Sequence, residues 1–81
     1  MLEDIRNKKV IVGMRRSLKA IEQGNAERAF VAGDVAPNLT KQILDACKEH
    51  GVAIELVRSK QELGRACKID VDASVVVVPK E

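Results

Sequence analysis

Along this chain the apolar residues change period several times, and each change marks an element. Lys9-Val10-Ile11-Val12 is a mostly β-branched run closed by Gly13, the pattern of a buried strand and its exit turn. From Met14 the period lengthens. Met14, Leu18 and Ile21 recur at intervals of four and three, with Arg15, Arg16, Lys19 and Glu22 between them, so an amphipathic helix is expected, stopped by Gly24 at its C-cap. Ala29-Phe30-Val31-Ala32 predicts a second strand, and Gly33-Asp34 with Pro37-Asn38 predicts the loop that follows it. Leu39, Ile43, Leu44 and Cys47 form the stripe of the clearest helix, with Asn38 or Thr40 suited to cap its start and His50-Gly51 to stop it. Residues 52–57 predict a third strand, Lys60 to about Ala66 a short helix ending near Cys67-Lys68, and Ala73 to Val78 a fourth strand terminated by Pro79. A further short helix is expected from Leu2 to about Asn7, ahead of the first strand.

Four strands thus alternate with four helices. Strands covered on both faces read as continuous apolar runs, and Val75-Val76-Val77-Val78 is such a run, which predicts a central strand with helices on either side. The expected fold is α/β: a three-layer α/β/α sandwich around a four-stranded mixed sheet. An 81-residue chain has room for one core, so residues 1–81 are expected to form a single domain.

Composition narrows the function classes. With 46% apolar and 32% charged residues the chain is neither a disordered tail nor a membrane span, and an N-terminus with Glu3 and Asp4 is unlike a secretory leader. A cytoplasmic protein without membrane contact is expected. Cys47 and Cys67 lack a CxxC spacing, and His50 is the sole histidine, so neither a metal nor a cofactor is expected; both thiols read as small buried hydrophobes. Ser17 and Ser59 lie in no nucleophile motif, no carboxylate pair suggests acid–base work, and neither GxGxxG nor GxxxxGK[ST] follows a strand. Catalysis has no visible machinery, and the chain is not expected to be an enzyme.

The net charge of +2 conceals a strong asymmetry. Arg6, Lys8, Lys9, Arg15, Arg16 and Lys19 form a segment without an acid; Arg58, Lys60, Arg65 and Lys68 form a second with only Glu62. Those two segments hold ten of the 14 basic residues and one of the 12 acidic ones, so the rest of the chain is anionic. If the segments meet in space, one face suits a polyanion. Phe30, the one aromatic residue, falls in a buried strand and provides no stacking platform. Recognition would then rest on shape, phosphate charge and a few base edges. Ile69 and Val71, flanked by Lys68, Asp70 and Asp72, have no obvious place in a core; they read either as a contact or as ordinary exposed aliphatics.

These residues resemble the superfamily of ribosomal proteins L7Ae and L30e, small α/β/α proteins that bind kink-turn RNA. The resemblance covers most of the chain. It rests on Val12-Gly13 with Lys19-Ala20-Ile21-Glu22-Gln23-Gly24, on Ala32-Gly33-Asp34-Val35-Ala36-Pro37, and most specifically on Val57-Arg58-Ser59-Lys60-Gln61-Glu62-Leu63-Gly64-Arg65-Ala66-Cys67. It looks most like the short bacterial members. The resemblance implies a non-catalytic module that recognises and stabilises a ribosomal or regulatory kink-turn; a monomer with no role for DNA is expected. The resemblance also implies an RNA site made of Gly13, Met14, Arg15, Arg16 and Lys19 at the start of the first amphipathic helix, with Lys60 and the loop Lys68, Ile69, Asp70 and Val71 as a second surface.

The chain departs from the family pattern at three places. Arg15-Arg16 stands where Asn-Glu or Lys-Gln is more usual, and Met14 where a threonine is. Arginines donate hydrogen bonds but cannot accept one from a guanine N–H, so a changed sequence preference is expected. Lys68 stands where a glycine usually follows the cysteine, and a backbone that needs positive φ there would strain it. Ala36 stands where an acidic residue precedes the proline. A protein–protein module on the same scaffold, with a degenerate RNA site, is the alternative these departures leave open.

Overall fold

The alternating pattern folds, in the computed structural model, into four strands and three helices; residues 9–69 and 71–80 are described. In chain order they are β1 (Ile11–Val12), α1 (Met14–Glu22), β2 (Arg28–Ala32), α2 (Pro37–His50), β3 (Ala53–Val57), α3 (Lys60–Ala66) and β4 (Val75–Val78). The helix expected over Leu2 to Asn7 lies outside the described residues. The strand order is β1-β4-β2-β3. β4 runs antiparallel to both its neighbours, with Val76 against Val12 on one side and Phe30 on the other, whereas β2 and β3 are parallel through Phe30–Glu55. The sheet is mixed, as the sequence predicts.

Successive side chains of the two inner strands go to opposite layers. Phe30, Ala32, Val76 and Val78 pack with Leu63 and Ala66 of α3. Ala29, Val31, Val75 and Val77 pack with Ala20 and Ile21 of α1 and with Ile43 and Cys47 of α2. This is a three-layer sandwich, and the four valines of β4 are buried on both sides. Each such burial contributes about 1.5–3 kcal/mol. β3 is one of the two edge strands, and it is only partly covered: Leu56 keeps 68% of its surface exposed.

The boundaries differ from expectation where tertiary structure overrides the local pattern. β1 is shortened to two paired residues, because only Ile11 and Val12 find partners on β4. α2 begins at Pro37 and includes Asn38. The expected loop signal is in fact a helix start, since proline's fixed φ and missing N–H suit the first helical position. Neither Asn38 nor Thr40 caps that start: no side chain does, and the Thr40 hydroxyl instead lies 3.3 Å from the Ala36 carbonyl, one turn back. At its far end α2 stops, as predicted, at His50 with Gly51 in the left-handed conformation, φ 69°.

The two thiols take different environments. Cys47 is buried as predicted, whereas Cys67 is only half-buried. They belong to cores on opposite faces of the sheet, so no disulfide can join them. Burial pushes both thiols above the usual range, keeping them protonated at neutral pH.

α3 is closed off by a near approach of backbone to backbone. At Gly64 a Cβ would overlap the Val71 carbonyl of the segment returning towards β4. Gly64→Ala is therefore expected to force that segment away and to lower stability by about 1–3 kcal/mol. Chemical denaturation of the two proteins checks this.

Candidate nucleic-acid interface

Strand directions gather the loops. β1, β2 and β3 all end, and the antiparallel β4 begins, at the same edge of the sheet. Gly13, the turn at Gly33-Asp34, the start of α3 and the segment leading into β4 therefore lie side by side. Backbone bonds join them in order across the edge. The Gly13 N–H donates to the Val75 carbonyl (2.9 Å), Ala32 to Ser74 (3.0 Å), Gly33 to Val57 (2.7 Å) and Ala73 to Lys60 (3.1 Å). With neighbouring strands about 4.8 Å apart, the row from β1 to β3 is about 14 Å wide.

Of the three helices that start on this edge, α1 and α3 are finished differently. At α1 the N-cap is Gly13, at φ 110°; no side chain caps the helix and its first turn holds no acid. The first intrahelical bond is Ser17 N–H to the Gly13 carbonyl at 3.0 Å. The N–H groups of Met14, Arg15 and Arg16 thus have neither an intrahelical acceptor nor a side-chain cap, and the helix dipole adds partial positive charge there. Arg15, Arg16 and Lys19 are all exposed around this end. Met14 is half-buried and packs against the core between α1 and α2. α3, by contrast, is sealed. The Ser59 hydroxyl accepts from the Glu62 N–H (3.1 Å), and the Asp34 carboxylate accepts from the Lys60 N–H (2.8 Å). An anion has an open helix end at α1 and a closed one at α3.

Lys60, half-buried, begins α3, and Lys68 lies at its other end, about 12 Å further along. α3 ends in a Schellman motif: Lys68 N–H bonds the Arg65 carbonyl and Ile69 N–H the Gly64 carbonyl. α1 ends in the same way, through Gly24 to Ile21 and Asn25 to Ala20. The motif needs a left-handed residue, which is Gly24 at φ 74° in α1 but Lys68 at φ 59° in α3. Lys68 is the single non-glycine with positive φ among the described residues.

Of the two aliphatics expected to lack a place in the core, Ile69 has one: it is half-buried against the α3-side cluster, as the residue following a Schellman turn often is. Val71 remains exposed, at 68%, beside Gln61, Arg65 and Asp72 in a shallow depression. Asp70 lies outside the described residues.

The rest of the surface balances this edge. Glu22, Asp45, Glu49 and His50 line a groove between the later turns of α1 and α2. Ser17 is fully buried, with its hydroxyl turned to the Ile11 carbonyl at 3.5 Å, and Phe30 is fully buried too. No group of three metal-binding side chains occurs among the described residues, nor does a helix long and apolar enough to cross a membrane. Asp34 and Gly64 carry structural weight that the local sequence does not announce, since their partners lie elsewhere along the chain.

Known proteins are similar to this chain in sequence and in fold. The sequence profile of the ribosomal protein L7Ae/L30e/S12e/Gadd45 family matches residues 3–81. The chain belongs to that family. An RNA-binding protein of Geobacillus sp. (strain WCH70) is 36% identical over 70 residues, 86% of this chain and 85% of that one. Large ribosomal subunit protein eL8 of Nitrosopumilus maritimus is 35% identical over 71 residues, but this chain spans only 56% of it. Among solved structures, the Giardia lamblia 15.5kD RNA binding protein superposes with a TM-score of 0.91 at 28% identity, covering 99% of this chain and 71% of that one.

Within the family fold, Lys68 holds a backbone conformation that glycine adopts without strain. A left-handed non-glycine residue costs about 1–2 kcal/mol, and glycine's extra freedom when unfolded returns part of that. Lys68→Gly is expected to raise stability by about 0.5–1 kcal/mol, seen as a melting temperature several degrees higher.

Proposed function

We propose that this chain binds structured RNA of the kink-turn class through the edge where the loops gather, as a monomer and without catalysis. The observation that carries the reading is the uncapped N-terminus of α1, ringed by exposed Arg15, Arg16 and Lys19, in a protein of this family. The names of the Geobacillus relative and the Giardia neighbour, both RNA-binding proteins, support the polyanion as RNA. In this reading Gly13 lets the RNA approach the helix end, Arg15 and Arg16 donate to guanine edges or phosphates, and Lys19 supplies a point charge one turn on. Lys60 and Lys68 add charge along α3, and the exposed Val71 meets an unstacked base. Ile69 anchors the segment that carries Val71, and Asp70 is counted among the RNA-contacting residues in this reading.

The action is a shift of population. An RNA that samples straight and bent forms is drawn to the bent form to the extent that the protein binds that form more tightly. No turnover is needed, and cytoplasmic RNA, ribosomal or regulatory, is the expected partner.

A titration at physiological salt tests the reading, comparing a kink-turn RNA with the same stem after its tandem G·A pairs become Watson–Crick pairs. The wild type is expected to prefer the kink-turn at least about tenfold, a difference of 1.4 kcal/mol. Lys19→Ala and the double substitution Arg15→Ala, Arg16→Ala are expected to reduce that preference. Where a substituted side chain pairs with a phosphate, its removal should also lower the slope of log affinity against log salt by about one. Equal, weak binding of both RNAs by the wild type contradicts the reading.

A further inference from the structure

An acid on a face built for a polyanion needs a reason, and Asp34 has one. It stands in the turn after β2, where the Gly33 N–H holds the Val57 carbonyl at 2.7 Å. The turn is pressed so closely against the end of β3 that a Cβ on Gly33 would sit 3.4 Å from the carbonyl oxygens of both Val57 and Arg58. From there the Asp34 carboxylate reaches 26 positions along the chain to accept the Lys60 N–H at 2.8 Å. That group is one of the orphan donors of the first turn of α3, and Ser59 does not serve it, being engaged with Glu62. The carbonyl of the same Lys60 accepts from Ala73. Lys60 is therefore held at both its N–H and its C=O, by the loop after β2 on one side and the segment entering β4 on the other.

We propose that Asp34 is a positioning residue for RNA recognition: without touching RNA, its carboxylate fixes the start of α3, and so the spacing between Lys60 and the α1 end. The inference rests on the kink-turn reading above. Two rigidly spaced sets of cations favour one bent path of the backbone over others, whereas the same cations loosely spaced bind any duplex. The Asp34 bond thus governs preference and not gross affinity. Its negative charge opposes phosphate at every site alike, so charge and bond act in separable ways.

Two substitutions separate them. Asp34→Asn keeps an oxygen able to accept from Lys60 and removes the charge; Asp34→Ala removes both. Kink-turn and plain-duplex affinities are measured at a temperature where every variant is folded. Ile43→Val, in the opposite core, serves as a control of similar modest instability. Asp34→Ala is expected to lower the kink-turn preference about fivefold, as for removal of one net hydrogen bond, without weakening duplex binding. Asp34→Asn is expected to keep the preference and tighten duplex binding, and Ile43→Val to keep both. Hydrogen exchange at the Lys60 amide should quicken in Asp34→Ala and stay slow in Asp34→Asn. A wild-type preference that Asp34→Ala retains in full, or that Asp34→Asn loses equally, overturns the role of Asp34 alone. A wild type with no preference overturns the kink-turn reading and this inference with it, even where the Lys60 amide shows the bond intact.

Discussion

The direction of one strand governs the rest of this molecule. β4 lies between β1 and β2 and runs opposite to both, while β2 and β3 run together. For that reason three strands finish and one starts on a single edge. The turn at Gly13, the turn at Gly33-Asp34, the start of α3 and the segment before β4 are consequently neighbours. A parallel β4 would deliver residues 69–74 to the opposite edge and leave α3 without the Ala73–Lys60 bond. The strand can occupy this central place because Val75 to Val78 present apolar surface to both layers, with none left to meet water. Burial of one strand thereby sets the geometry of a surface that it does not itself line.

The surface that results is unequal in a way that suits an anionic partner. Of the three helix starts on the edge, that of α1 is open and flanked by arginines, that of α2 has no side-chain cap and begins with Pro37, and that of α3 is closed by Ser59 and Asp34. Capping in α3 stabilises a helix too short to stand alone. With Gly13 as its N-cap, α1 forgoes only about a few tenths of a kcal/mol relative to a serine or aspartate cap. Lys68 is a second local cost, placed where its charge lies along α3. Sites of this kind, where a local rule is broken, are where function concentrates in a small fold.

Much of this is legible in the sequence. The valine run, the period change at Met14 and the stop at His50-Gly51 each point to the element that forms, because each is a local signal: burial on two faces, helical spacing, a left-handed cap. Pro37 misleads because proline marks both loops and first helical turns, and only the packing of Leu39 and Ile43 tells them apart. Ile69 misleads because a core residue just beyond a helix has no periodicity to betray it. Lys68 stands where the family pattern has a glycine, which leaves either a strained lysine or another loop shape, and the backbone takes the first course, with Lys68 at φ 59°. The bond from Asp34 to Lys60 joins residues 26 apart and has no sequence signature at all.

We propose that RNA is recognised at the edge where the loops gather, and amide chemical-shift mapping of the labelled protein, titrated with a kink-turn RNA, tests that proposal most directly. Perturbation is expected to concentrate at Gly13 to Lys19, Gly33-Asp34, Lys60 and Lys68 to Asp72, with the groove of Glu22, Asp45 and Glu49 silent. Perturbation centred on that groove, or on the exposed edge of β3 around Leu56, would contradict it.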